Sequence, residues 1–156
     1  MLTTSLTAKE EGQRLRIEMM NVQQDTYICL ALPVSLREIA GIAARIASET
    51  GMDDSSLDIL VTHDSKMQEL NKLFLNLEGP TNVLSFPAKN EDSPDFLGQL
   101  VINADAIIRE SWLYGQDTFE YLTRLLIHGM LHLAGLEHGE EMDVILENLI
   151  SEIVNG

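Results

Sequence analysis

Three of the four histidines fall within eleven residues: His128, His132 and His138, in the run H-G-M-L-H-L-A-G-L-E-H. His128 and His132 are four apart, so on a helix they project from one face about one turn from each other. Gly135 stands where a helix can stop and turn, because glycine enters the left-handed conformation without steric cost. His138 then returns on the loop. Three imidazoles on one cation leave a coordination position open, the arrangement of a catalytic zinc rather than a structural one. The competing reading is a set of unrelated surface and core histidines. It is weakened by how few other polar groups stand near them.

The run fits the frame H-x-x-x-H-x-x-G-x-x-H used by zinc proteases of the metzincin type, in which a glutamate follows the first histidine and takes a proton from water. Here that position is Gly129, which has no side chain and cannot be a base. The frame therefore points to a metal site and away from that proteolytic mechanism. Glu137, Glu140 and Glu141 lie close to His138 in sequence. Glu140 and Glu141 read best as acidic residues favoured by the dipole at a helix start. Glu137 stands between two roles, a surface carboxylate or a group that relays a proton or orients a ligand imidazole.

These groups need a scaffold, and the chain is long enough for one domain with a proper core: 156 residues, 45% apolar. No apolar run approaches the roughly 20 residues of a membrane-spanning helix, and the N-terminus has no secretory pattern. The single cysteine, Cys29, forms no internal disulfide, which is compatible with a reducing cytosol, and reads as a small buried hydrophobe. A net charge of −15 repels nucleic acid over most of the surface and argues against tight, non-specific binding to it. A bound dication with a few local basic residues can still make one cleft attractive.

Residues 1–24 fit the pattern least well; Arg14 to Val22 reads as an extra strand or part of a loosely held arm. Residues 25–156 read as one domain. Strands are expected at Thr26–Leu32, Leu57–Thr62, Val83–Phe86 and Leu97–Ile102. S-L-R-E at Ser35–Glu38 is a capping box opening a helix to about Thr50. Asp64 is expected to cap a helix from Ser65 to about Asn76, with Met67, Leu70, Leu73 and Phe74 inward. Further helices are expected over Ala104–Tyr114, Thr118–Ala134 and Glu140–Val154. The result is an α+β fold, a small mixed four-stranded sheet packed with about five helices, with the metal site on one helix and the loop after it. His63 reads as structural rather than as a fourth ligand, and Trp112 and Tyr114 as helix-packing aromatics.

The run from His128 to His138 closely resembles the H-G-x-L-H-L-x-G-[YF]-D-H signature of the YbeY family of bacterial endoribonucleases. P-T-N-V-L-S-F-P (Pro80–Pro87) resembles that family's second motif, and L-G-Q-L-V-I (Leu97–Ile102) its L-G-D-[IL]-[VI]-I strand. Their order and spacing agree, and the resemblance covers roughly Thr26 to the C-terminus. It implies a zinc-dependent endoribonuclease specific for single strands, acting in maturation of the 3′ end of small-subunit (16S) ribosomal RNA and in ribosome quality control. It also implies a cytoplasmic protein with one zinc (Zn2+) per chain held by His128, His132 and His138. The expected partners are single-stranded ribosomal RNA and the ribosome or its associated proteins, with no membrane and no DNA. Ser85, by resemblance, and Phe86 are the candidate contacts in the substrate cleft.

The chain departs from the family at several points. L-N-K-L-F-L has Leu75 where the family usually has arginine, a residue suited to phosphate. Gln99 and Glu137 replace aspartates, and Leu136 replaces an aromatic. Lys72 and Lys89 are candidates to supply part of the missing positive charge, although both read best as ordinary solvated lysines. Two other readings stay open: a metal hydrolase of a non-RNA substrate such as a peptide, and a zinc-stabilised, non-enzymatic ribosome-associated factor.

Overall fold

A computed structural model describes residues 7–24, 32–88 and 91–156. In chain order these residues form α1 (Ala8–Glu18), β1 (Met20–Gln24), α2 (Leu36–Glu49), β2 (Ser56–Thr62), α3 (Asp64–Leu75), β3 (Val83–Pro87), β4 (Phe96–Asn103), α4 (Ala104–Leu113), α5 (Thr118–Leu133) and α6 (Glu140–Asn155). The sheet order is β1-β2-β4-β3. β1 and β4 run parallel to β2, and β3 runs antiparallel to β4. The fold is α+β with a mixed four-stranded sheet, as the sequence predicts, but with six helices among the described residues rather than about five.

The alternation of each strand sorts its side chains between two layers. Leu57, Ile59 and Val61 of β2 and Leu100 and Ile102 of β4 enter the main core, where they meet α2, α5 and α6. The opposite face carries a smaller cluster of Met67, Leu84 and Val101, with Leu60, Leu70 and Phe86 against it. α2 opens on the expected capping box: the Ser35 hydroxyl accepts from Glu38 N–H, and the Glu38 carboxylate accepts from Ser35 N–H at 2.7 Å. α5 is buried on almost every side, from Tyr121 to Leu133, so its polar exceptions are informative.

The structure corrects several expectations. β1 lies at Met20–Gln24, and Arg14 to Glu18 belongs to α1. The expected strand at Thr26–Leu32, with Cys29, falls almost wholly outside the described residues. The cap of α3 is His63, whose Nδ1 accepts from Lys66 N–H at 3.5 Å; Asp64 is the first helical residue. Leu73 and Phe74 are not buried as expected but are 72% and 59% exposed, Phe74 keeping only an edge-on contact with Phe86 of β3. Trp112 is 84% exposed and does not pack; Tyr114 is also exposed, with its ring tilted against Tyr121.

Candidate metal centre

The geometry of the histidines follows from how α5 ends. Ala134 is the last residue of the turn, and Gly135 follows with φ +96°. Gly135 N–H donates to His132 C=O, and Leu136 N–H donates to Leu131 C=O, both at 3.0 Å. This pair of bonds is the glycine-closed helix end that reverses the chain. The reversal brings the Leu136 carbonyl back over the final turn, 3.0 Å from His132 Nδ1. With Nδ1–H donating to that carbonyl, His132 presents Nε2 as a lone pair, the outer-shell arrangement that fixes a ligand's tautomer and ring orientation.

His132 Nε2 lies 3.1 Å from His128 Nε2, one turn back on the same face. His138, on the returning loop, places its ring centroid 4.4 Å from that of His132 and 4.9 Å from that of His128. One nitrogen from each of the three lies within 4.8 Å of the others. Burial, and then the nearness of His132 and His138, hold the pKa of His128 below the ordinary imidazole value. Neutral imidazole is the ligand form, and three neutral nitrogens without a thiolate suit zinc.

Gly129 explains why no base follows His128. A Cβ there would meet Leu100 Cδ2 at 2.7 Å and Ser85 Oγ at 3.4 Å. The helix approaches the sheet so closely that a Cβ fits only if the buried Leu100 side chain shifts, and Ser85 Oγ donates to the Gly129 carbonyl at 3.3 Å. A glutamate at 129 would have to displace the buried Leu100 side chain, so packing as well as composition disfavours the protease frame.

The histidines open into a cleft of about 520 Å³ lined by Leu75, Val83, Leu84, Ser85, Pro87, His128, His132, Gly135, Leu136, Glu137 and His138. Glu137 is exposed on its rim. Ser85 lines it; Phe86 does not. Alternation turns the Phe86 side chain to the other face of the sheet, where its ring meets Phe74 edge-on at 5.2 Å. Leu75, half exposed, sits on the cleft wall, so the substitution found in the sequence falls within the site itself. Lys72 lines no part of it and lies 3.9 Å from Glu78; Lys89 is outside the described residues.

The cleft wall is anchored from behind by a polar network that the sequence reading missed. Asn103 is fully buried; its Nδ2 donates to Asp64 Oδ1 at 2.7 Å and to the Thr81 carbonyl at 3.1 Å. Asp64 also accepts from both terminal nitrogens of Arg109, at 2.9 and 3.2 Å. Asn82 Nδ2 donates to Glu110 at 3.1 Å. The turn residues Thr81 and Asn82 are thus tied to α3 and α4, which fixes where β3 begins. The one signal available in the sequence was Asn103 directly before a helix, the mark of a cap. Gly98, at φ +134°, is required too: a Cβ there would lie 2.2 Å from the Phe86 carbonyl oxygen.

Residues 23–155 match the family model described as Endoribonuclease YbeY. A protein named Endoribonuclease YbeY from Nitratidesulfovibrio vulgaris is 36% identical over 135 residues, covering 74% of this chain and 83% of its own length. One of the same name from Oleidesulfovibrio alaskensis is 34% identical, covering 85% of this chain and 90% of its own. A Thermotoga maritima protein solved in solution superposes with a TM-score of 0.63 at 21% identity, covering 87% of this chain and 89% of that one, and shows the shared fold.

Proposed function

Because the chain belongs to the YbeY endoribonuclease family, we propose that it is a zinc-dependent endoribonuclease for single-stranded RNA, working in the cytoplasm on the 3′ end of small-subunit ribosomal RNA and in ribosome quality control. The observation that carries this reading is the convergence of three imidazoles, within 4.8 Å, at the floor of an open cleft. His128, His132 and His138 would hold one zinc per chain. When bound, zinc supplies Lewis acidity that polarises a phosphoryl oxygen and makes water a competent nucleophile near neutral pH.

The chain's own residues do the rest. The Leu136 carbonyl holds the His132 ring in one orientation. Gly129 lets α5 lie against β3, which sets the distance between the histidines and the wall bearing Ser85. Glu137, the carboxylate on the cleft rim, takes a proton as the phosphodiester is attacked or orients the adjacent His138. Residues 25–156 act as one catalytic domain.

The test is incubation of the zinc-loaded protein with single-stranded ribosomal RNA, beside a His132→Ala control. Internal cleavage by the parent and none by the variant is the expected result. A parent that binds zinc and ribosomes but never cuts RNA moves the assignment to the non-enzymatic ribosome factor. Cleavage of peptide alone moves it to another hydrolase.

A further inference from the structure

One wall of the cleft is main chain. Leu84 lines it although its side chain is buried on the far side of the sheet, beside Met67 and Val101, so it reaches the cleft only through its backbone. β3 is an edge strand of the described sheet. Its ladder with β4 fixes which groups are free. Asn103 N–H donates to the Asn82 carbonyl, and Ala88 N–H donates to the Leu97 carbonyl. Hydrogen bonding alternates along an antiparallel pair, so the even-numbered residues 82 to 88 bond inward. The N–H and C=O of Val83 and Ser85 therefore point away from β4, at the free edge. Pro87 keeps the same phase, placing its missing N–H where no ladder bond is lost.

Around this edge the cleft offers mostly apolar surface, and its one carboxylate, Glu137, is exposed on the rim. Leu75, Val83 and Leu136 supply flat hydrocarbon, and among the described residues no arginine or lysine lines it. Such a wall has little to offer a phosphate. It has what an unstacked nucleobase needs: apolar surface for its faces, and a donor beside an acceptor for its edge. Every nucleobase carries an adjacent donor and acceptor on its Watson–Crick edge. In a duplex those positions are already occupied.

We propose that the exposed edge of β3, chiefly the main-chain N–H and C=O of Ser85, is the specificity element of the cleft: it hydrogen-bonds the Watson–Crick edge of an unpaired base next to the scissile phosphate. This rests on the RNA-cleaving function proposed above. Selection for single strands then comes from main-chain hydrogen bonding, not from charge, and the sequence preference is weak.

The first arm of the test leaves the protein unaltered. A single-stranded RNA of twelve nucleotides is made abasic at one position at a time, which keeps every phosphate. The zinc-loaded protein is then assayed for cleavage and for equilibrium binding by fluorescence anisotropy. The expected result is a loss of about tenfold in both at one or two adjacent positions flanking the cut. A loss below fivefold at every position, with the base-bearing RNA still cut, overturns this proposal and leaves the functional reading intact. Failure to cut or bind the base-bearing RNA overturns both. A second arm compares Ser85→Pro, which removes the outward N–H, with Ser85→Ala, which keeps it, once circular dichroism shows both folded. Ser85→Pro is expected to lose preference for single-stranded over double-stranded RNA, and Ser85→Ala to keep it; equal behaviour of the two overturns the role of the N–H.

Discussion

Gly41 and Gly129 both sit inside helices of this protein, and alanine at the two is expected to change stability in opposite directions. Gly41 lies mid-way along α2, and a Cβ there meets nothing within 4 Å. Alanine at such a position recovers the helix-propensity deficit of glycine, about 0.8–1 kcal/mol. Gly129 carries the same deficit, but its added Cβ stands 2.7 Å from Leu100 Cδ2, about 0.7 Å inside the 3.4 Å where ordinary contacts begin. Leu100 is fully buried, and its strand is held on both sides by β2 and β3. It cannot turn aside cheaply, and overpacking of this kind costs about 1–3 kcal/mol. Net of propensity, Gly129→Ala should lose about 1 kcal/mol where Gly41→Ala gains nearly that much. The contrast between the two variants, about 1–3 kcal/mol, isolates the packing term. Urea unfolding in excess chelator measures it without a contribution from metal. Zinc affinity, read separately, should fall in Gly129→Ala, because relief of the clash moves His128 relative to His138, and should be unchanged in Gly41→Ala. If Gly129→Ala is stabilised as much as Gly41→Ala, the close approach of α5 to the sheet is not what keeps this position a glycine.

Zinc at 100 times its dissociation constant should stabilise the native state by about 2.7 kcal/mol, raising Tm by roughly 5–10 °C for a chain of this size; His132→Ala should remove that shift, and a chelator-insensitive Tm in the parent would detach zinc from folding. Leu75→Arg, checked for folding first, should strengthen RNA binding by about tenfold to a hundredfold at low salt, the range expected of a charged hydrogen bond to phosphate worth about 1.5–3 kcal/mol; no gain would mean that positive charge does not limit the cleft. The hydrogen bonds from Arg109, with that from Asn103, hold the Asp64 carboxyl below its ordinary range. A depressed carboxylate contributes stability that is complete above its unfolded value and is lost as pH falls through the folded one. The urea midpoint of the chelated parent should therefore drop below about pH 4 more steeply than that of Asp64→Asn, and parallel curves would remove Asp64 from the acid limb.

The histidine spacing was legible because it is local. Four residues on a helix set one turn, and a glycine three residues later sets the reversal. What the residue types did not disclose was the partner of His132. That partner is a backbone carbonyl, carried by a leucine whose side chain gives no hint of the role. The strands at 57–62, 83–86 and 97–102 were legible because buried alternation marks them. β1 was not, because M-N-V-Q-Q faces the core with only Met20 and Val22 and has the polar look of a loop. Leu73 and Phe74 misled in the opposite direction: they keep the helical apolar period, but the period cannot say how much of the end of α3 is covered.

The same close packing that makes the site also restricts its chemistry. α5 lies on the sheet at a distance set by hydrogen at position 129, and Ser85 bonds the helix backbone at that point. A side chain able to act as a base immediately after His128 would first have to displace the buried Leu100 of β4. The one carboxylate among the residues lining the cleft comes from beyond the helix end, where the chain has already turned. Glu137 is the carboxylate that the turn at Gly135 delivers to the cleft rim. The glycine-closed helix end thus has three consequences in four residues: it reverses the chain, it fixes the tautomer of His132 through the Leu136 carbonyl, and it sets Glu137 and His138 side by side facing the edge of β3.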